Sequence, residues 1–195
     1  MLMHSINAFA MAEPDIHIVV VIAKEFIGYW KELCSAHNFT IQHVIAEGGP
    51  ERYHSVKNGL ALINGEGLMA IHDGARPLIK PEHIKNNFAL AGRYGAIAPV
   101  IEVSDSMRQV EGALHKPVDR KKYRLVQTPQ VFKTALLKNA YLRQYDPRFT
   151  DDATVVEASG EKVVLVEGDA ENIKVTLPAD LAFAESILSL RKSNP

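Results

Sequence analysis

The β-branched run Ile16-His17-Ile18-Val19-Val20-Val21-Ile22 predicts a strand. Apolar density returns at residues 41–46, 68–72, 95–103 (Ala96, Ile97, Ala98, Val100) and 162–166, and each stretch reads as a further strand. Between them apolar residues fall at helical spacing: residues 3–12 (Ile6, Phe9, Ala10), 25–37, 51–63 and 81–93. Pro81 sits at a first helical position, and Cys34 falls among core positions of its helix. Alternating strands and helices imply an α/β, Rossmann-like fold with a mostly parallel sheet and helices on both faces, in which 68–72 is a buried parallel strand. Such a domain normally opens with a strand, whereas this chain opens with a helix.

Residues 106–128 break the alternation. Met107-Arg108-Gln109-Val110 and 114–118 flank Glu111-Gly112-Ala113, a hairpin signal. The segment carries too many charges for the core, so a projecting β-arm is expected over about 104–128, of the kind that packs on a partner subunit. Residues 132–145 then return to helix, Thr150-Asp151-Asp152 caps another through about Ala158, Asn172–Thr176 is a short extended segment, and a last helix begins at Pro178. No repeat or linker divides the chain, so a single domain is expected over 1–195.

Composition narrows the function classes. The 195 residues are 47% apolar, enough for one full core. Lys and Arg total 22 against 23 Asp and Glu, so no long-range field draws in nucleic acid or an anionic membrane. The one basic cluster is Arg120-Lys121-Lys122-Tyr123-Arg124. Cys34 as sole cysteine excludes an internal disulfide and a multi-Cys zinc site. Eight scattered His lack ligand spacing, so no protein metal site is expected. No stretch nears the roughly 20 apolar residues of a membrane span. Ala10-Met11-Ala12 mimics a signal-peptidase site, yet no basic region precedes it and His4, Ser5 and Asn7 interrupt the apolar run. A soluble, cytoplasmic protein is expected.

Candidate chemistry gathers where Leu68-Met69-Ala70-Ile71-His72 stops in Asp73-Gly74-Ala75-Arg76-Pro77. Ligands of open α/β sheets bind at the carboxyl ends of strands. There Asp73 can face a metal–phosphate or ribose group, Gly74 lets a ligand approach the backbone, and Arg76 offers a planar fork to phosphate. A plain turn with an exposed ion pair fits these residues equally. Gly48-Gly49 can lay backbone amides against a base or phosphate, or simply turn the chain. Ser55 in the next helix can reach that loop, or stand in solvent. Asp105-Ser106, Arg108 and Arg120 bring a hydroxyl and two guanidinium groups to the arm, a set that suits a small phosphorylated substrate and equally a solvated surface. Lys174, in Ile173-Lys174-Val175, suits a developing phosphoryl charge. Thr128-Pro129-Gln130 and Thr150-Asp151 are open between ligand contact and helix-start chemistry. No Ser/His/Asp or Cys/His arrangement and no Walker or Gly-x-Gly-x-x-Gly loop is present. Together the residues suggest an α/β protein that handles phosphates.

The blocks Gly48-Gly49-x-Glu51-Arg52-x-x-Ser55-Val56, His72-Asp73-Gly74-Ala75-Arg76-Pro77, Pro99-Val100 with Asp105-Ser106, Val118-Asp119-Arg120 with Gln127-Thr128-Pro129-Gln130, Thr150-Asp151-Asp152-Ala153, and Gly168 with Asn172-Ile173-Lys174-Val175-Thr176, Pro178 and Asp180-Leu181 are far more specific in this order than any one alone. The chain resembles the 2-C-methyl-D-erythritol 4-phosphate cytidylyltransferases of the non-mevalonate isoprenoid pathway over essentially its whole length. The resemblance implies a nucleotidyltransferase fold of Rossmann type, a homodimer joined by the β-arm, and Mg²⁺ bound mainly through the phosphates of CTP. The implied reaction joins CTP and methylerythritol phosphate into the cytidyl diphosphate product and pyrophosphate. By the same resemblance Gly48, Gly49 and Ser55 match the cytosine side, and Asp73 and Gly74 the ribose and metal–phosphate side. Arg76, Ser106, Arg108, Thr128, Thr150 and Lys174 match the substrate side. Arg120 and Lys174 match the pair that positions the substrate phosphate, with Ser106 and Arg120 expected from the partner's arm.

Three departures stand out. Ser106 replaces an expected Thr and keeps the hydroxyl, and Pro50 stands where an acid is common. The resemblance also implies a strand and a glycine-rich loop carrying an Arg and a Lys, roughly 30 residues, ahead of Met1. Without them the chain as written is expected to be catalytically impaired by several kcal/mol of transition-state stabilisation. The alternatives are a pentitol-phosphate cytidylyltransferase and a non-catalytic nucleotide-binding protein.

Overall fold

The computed structural model describes residues 1–193. Helix α1 (Leu2–Ala12) leads into β1 (Val19–Ile22), which is followed by a 3₁₀ turn (Lys24–Phe26), α2 (Ile27–Ala36), β2 (Val44–Glu47), α3 (Arg52–Ala61), β3 (Leu68–Ile71), α4 (Pro81–Tyr94) and β4 (Ala96–Glu102). The arm is β5 (Met107–Glu111) and β6 (Leu114–Val118), closed by a 3₁₀ turn (Arg120–Lys122). The chain returns through β7 (Arg124–Val126) and β8 (Gln130–Lys133), then α5 (Thr134–Ala140), α6 (Asp152–Ala158), β9 (Val164–Glu167) and α7 (Pro178–Ser193).

The expected order of elements is present, with two insertions. β7, inside the expected arm of about 104–128, pairs antiparallel with β4 of the central sheet, so the projecting hairpin itself is only β5 and β6, and β8 is the second. Residues 132–133, expected to begin a helix, belong to strand β8, and α5 that follows is shorter than the predicted 132–145. Gln-Val-Phe-Lys wedges between β3 and β4 and pairs antiparallel to both. Long-range pairing therefore overrides the helical pattern. The organising strand β3 thus finds an antiparallel hydrogen-bonded neighbour rather than the expected parallel one. It still runs in the same direction as β4, and β9 lies parallel to β4. The resulting five-stranded sheet, β3-β8-β4-β7 with β9 on β4, is mixed. β1 and β2 pair parallel as a separate two-stranded sheet. The 172–176 segment forms no strand, but Val175 N–H donates to the Ala75 carbonyl at 2.8 Å and lies against the loop after β3.

Strand alternation divides the core between two faces. Phe132 and Ala96 point to Tyr53, Leu60, Leu137, Tyr141, Val155 and Val156 from α3, α5, α6 and the turn after α5. Val131 and Ile97 point the other way, to Ala91 and Phe88 of α4. α7 closes a smaller cluster by packing Ala184 and Ile187 on Leu78. Ile6 of α1, Val20 of β1 and Trp30 of α2 form another, with Cys34 packed against it.

Among the described residues β1 is hydrogen-bonded only to β2, and β3 only to β8. Their residues line a common cavity of about 840 Å³, together with Leu2, Ile6 and Phe9 of α1. At one end it reaches Arg52, Ser55, Asp73, Gly74 and Lys174.

Candidate active site

Asp73 lies just beyond β3, at the carboxyl edge where α/β sheets take ligands. Its carboxylate is 3.1 Å from Lys174 Nζ, 3.3 Å from Arg52 Nε and 3.8 Å from Arg76 Nε. Burial alone pushes the Asp73 carboxyl up, but Arg52, Lys174 and Arg76 together hold it below its ordinary range. Arg52 also pairs with the buried Asp152, so three cations stand against two carboxylates, and the net positive field that remains receives phosphate.

Each of these groups is fixed from behind. Asp73 N–H donates to Thr128 Oγ1 at 2.9 Å, and that hydroxyl lies 3.1 Å from His72 Nδ1. His72 Nε2 is 3.0 Å from the Arg76 carbonyl. Nε2–H can donate only to that carbonyl, so a neutral ring leaves Nδ1 to accept from Thr128. Burial lowers the His72 pKa to about 4, against the opposing pull of the Arg76 carbonyl, so the ring stays neutral near pH 7. Thr128, expected on the substrate side, is buried, and its hydroxyl is engaged in setting the Asp73 backbone.

Arg76 is likewise turned inward. Nη1 donates to the Asn172 carbonyl at 2.7 Å and Nη2 to the Val126 carbonyl at 3.3 Å. The fork expected to meet phosphate instead ties the loop after β3 to the 172–176 segment and to β7. Burial lowers its pKa against the pull of Asp73. Asn172, itself buried, donates from Nδ2 to the Thr128 carbonyl. The neighbouring Gly168 has no room for a side chain, since a Cβ there would meet Gln127 Oε1 at 2.6 Å. These ties deliver Lys174, whose side chain is 47% exposed, to Asp73.

On the other wall Gly49 N–H donates to Ser55 Oγ at 3.0 Å, and Ser55 O–H is 3.2 Å from the Glu51 carbonyl. Ser55 therefore holds the Gly48-Gly49 loop closed. A Cβ at Gly49 would meet His54 Cβ at 2.4 Å, so that position is bare backbone by necessity, while one at Gly48 would fit tightly, 3.3 Å from Ala23 N. At Gly74 an added Cβ would be 3.4 Å from Leu2 Cδ1, and no such necessity exists.

The remaining expected residues are not gathered here. Thr150 is exposed, ahead of Asp151, which caps α6 by accepting from Thr154 N–H at 2.8 Å. The helix-start reading of Thr150-Asp151 thus holds for Asp151. Ser106 is exposed on the arm. Arg108 Nε donates to His115 Nδ1 at 2.9 Å, and Arg120 donates to the Ser104 carbonyl, so both guanidinium groups bond within the arm. Reasoning from single residues missed Arg52, Asp152, Tyr141 and His72. Arg52, His72 and Asp152 lie inside quoted blocks, and an Asp opening a helix reads as capping chemistry.

An α/β sheet with a cationic, acid-centred cleft at its strand ends and a bare glycine loop beside it defines a phosphate-handling, nucleotide-binding enzyme fold. Residues 1–190 match the family described as IspD: 2-C-methyl-D-erythritol 4-phosphate cytidylyltransferase. The enzymes of that name from Bacteroides thetaiotaomicron and Bacteroides fragilis are 46% and 48% identical over 187 residues, spanning 96% of this chain and 85% of theirs. The crystal structure of the Thermus thermophilus enzyme superposes with a TM-score of 0.76 at 31% identity, covering 94% of this chain and 86% of that one. A 4-diphosphocytidyl-2C-methyl-D-erythritol synthase superposes at 0.82 and 28% identity, covering 96% and 89%. The chain belongs to the 2-C-methyl-D-erythritol 4-phosphate cytidylyltransferase family, and its chemistry is that of a nucleotidyltransferase.

Proposed function

We propose that the cleft beside Asp73 performs the family's reaction in isoprenoid precursor synthesis. The phosphate oxygen of 2-C-methyl-D-erythritol 4-phosphate attacks the α-phosphorus of CTP in line. The new P–O bond forms as the bond to the bridging oxygen breaks, and pyrophosphate leaves with 4-diphosphocytidyl-2-C-methyl-D-erythritol as product. Such a transfer needs positioning and charge stabilisation more than covalent chemistry. The observation that carries this reading is the Lys174–Asp73 pair at 3.1 Å, with the ammonium half-exposed at the strand ends. Lys174 neutralises the attacking phosphate and the charge that develops in transfer. The Gly48-Gly49 backbone faces the cytosine, and Ser55 keeps that loop in shape. Gly74 lies at the ribose side. Arg76 and Thr128 act from behind by holding the Asp73 loop, while Thr150 borders the substrate side.

Asp73, 15% exposed, is the less buried of the two carboxylates on Arg52 and the one that meets a metal–nucleotide, since Asp152 is sealed from solvent. One carboxylate among three cations is no cage for a bare ion, and the described residues contain no group of three or more His, Cys, Asp or Glu placed to hold a metal. Asp73 would be the residue that holds Mg²⁺ arriving on the triphosphate. Mg²⁺ held there would supply charge neutralisation across the phosphates.

Ser106, Arg108 and Arg120 serve a site through dimerisation, with Ser106 and Arg120 meeting the partner's substrate phosphate. Val110 and Leu114, 68% and 76% exposed on the hairpin, provide apolar surface for that contact. No described helix is long and apolar enough to cross a membrane, and small phosphorylated substrates suit a cytoplasmic enzyme. The test is pyrophosphate release with CTP, Mg²⁺ and methylerythritol phosphate against the same assay with ribitol phosphate. Faster turnover of methylerythritol phosphate is expected. Preference for ribitol phosphate would overturn the substrate assignment.

A further inference from the structure

Asp73 has an anchor outside the groups assigned to substrate. Arg52, the first residue of α3, divides one edge of its guanidinium between two carboxylates. Nε reaches Asp73 at 3.3 Å, and Nη2 donates to Asp152 Oδ2 at 2.7 Å. The Asp152 side chain has no exposed surface, and Tyr141 O–H donates to its other oxygen at 2.6 Å. A carboxylate buried alone would be strongly destabilising, but here both oxygens are satisfied, one by a charged donor. Burial, reinforced by Asp152, raises the Tyr141 pKa and keeps the phenol a donor. Tyr141 also stacks on Tyr53 at 4.8 Å, so the residue after Arg52 is clamped by the same ring. One turn along α3, Ser55 holds the Gly48-Gly49 loop. The bracket thus joins α6, the turn after α5, α3 and the loop after β3, and it ends on the Asp73 carboxylate.

We propose that Arg52, held by Asp152 and Tyr141, is a positioning residue that orients the Asp73 carboxylate toward the metal–nucleotide and sets its register with the Gly48-Gly49 loop. This rests on the reading of Asp73 as the carboxylate that meets that metal–nucleotide. An ammonium is a point charge on a flexible stem and does not reproduce the two fixed directions of the planar fork, so charge alone does not replace Arg52.

The test uses the full chain with Arg52→Lys, Asp152→Asn and Asp73→Asn. It combines calorimetric titration of MgCTP at several Mg²⁺ concentrations, steady-state turnover and thermal unfolding. Arg52→Lys and Asp152→Asn are expected to weaken MgCTP binding and raise the Mg²⁺ requirement by about tenfold. Misplacement of this kind lowers kcat/KM for CTP by up to about 100-fold, while KM for methylerythritol phosphate stays nearly unchanged. Asp152→Asn keeps the shape of the bracket and gives the answer if Arg52→Lys does not fold. A lower Tm with unchanged MgCTP affinity and Mg²⁺ requirement would overturn the proposal and leave the bracket merely structural. Asp73→Asn separates the two ideas. If it leaves the Mg²⁺ requirement unchanged, the reading of Asp73 fails. If it changes that requirement and the bracket variants do not, the positioning role fails.

Discussion

Two sets of cations in this chain have the chemistry to meet phosphate, and their surroundings are opposite. Around Asp73, Arg52, Arg76 and Lys174 come from three separate segments, and each is held by backbone or carboxylate partners distant in sequence. On the arm, Arg108 and Arg120 bond only to groups of the arm itself, on a hairpin whose residues are almost all exposed. The first set is preorganised before any ligand arrives, so its electrostatic work costs little reorganisation. The second is aimed only by whatever surface the arm lies on. The difference separates residues that the core of the subunit positions from residues that it leaves at the surface.

The largest expected effect breaks the first set. Lys174→Ala removes the half-exposed ammonium without opening the core, and on the scale of one preorganised donor it should lower kcat by about 10²–10³-fold. Pyrophosphate release measures it, and wild-type turnover would remove Lys174 from the mechanism. Arg120→Ala comes next, with a loss of up to about 100-fold in kcat/KM and an unchanged Tm. Mixing Arg120→Ala with Lys174→Ala chains sharpens the comparison. If the arm serves the partner's site, mixed dimers carry one intact site and activity returns. If mixing restores nothing, the arm does not work across the dimer.

The third effect is in pH. The folded His72 ring stays neutral down to about pH 4, whereas an unfolded His takes up its proton near 6.5. Between those values the unfolded state binds more protons, so stability falls as pH falls, by about 3 kcal/mol in all from this group, and levels off below pH 4. Asp73 acts in the same sense at lower pH. Its pKa is lowered in the fold, so its contribution is complete above the ordinary carboxylate range and is lost as pH falls through the folded value. Urea midpoints across pH 7 to 4 report the sum, and a flat profile from 6.5 to 4 would contradict the buried neutral ring. The smallest effect belongs to the arm. Val110→Ser with Leu114→Ser should change the unfolding free energy by less than about 0.5 kcal/mol, yet shift sedimentation from dimer to monomer. An unshifted dimer would place the interface elsewhere.

Much of the fold is legible from local pattern. The β-branched runs and helical spacings correspond to β1–β4, β9 and α1–α4, and Glu111-Gly112-Ala113 marks the hairpin. β8 escapes because Gln-Val-Phe-Lys is too short to show a period, and its state comes from sheet neighbours far away in sequence. The site divides along the same line. Asp73, Gly49 and Lys174 are recognisable from position and residue type. Nothing local shows that Thr128 turns its hydroxyl toward His72 and the Asp73 amide, or that Arg76 gives its fork to two carbonyls.

By itself, then, the sequence determined most of the elements, their order and the family, because periodicity, turn residues and ordered motifs are short-range properties of the chain. Only the tertiary structure decided the pairing of β8, the inward turn of Thr128 and Arg76, and the bracket from Asp152 through Arg52 to Asp73. Those outcomes follow from the demand that buried polar groups find partners. Where a partner lies 21 or 100 residues away, as Asp73 and Asp152 lie from Arg52, packing makes the choice.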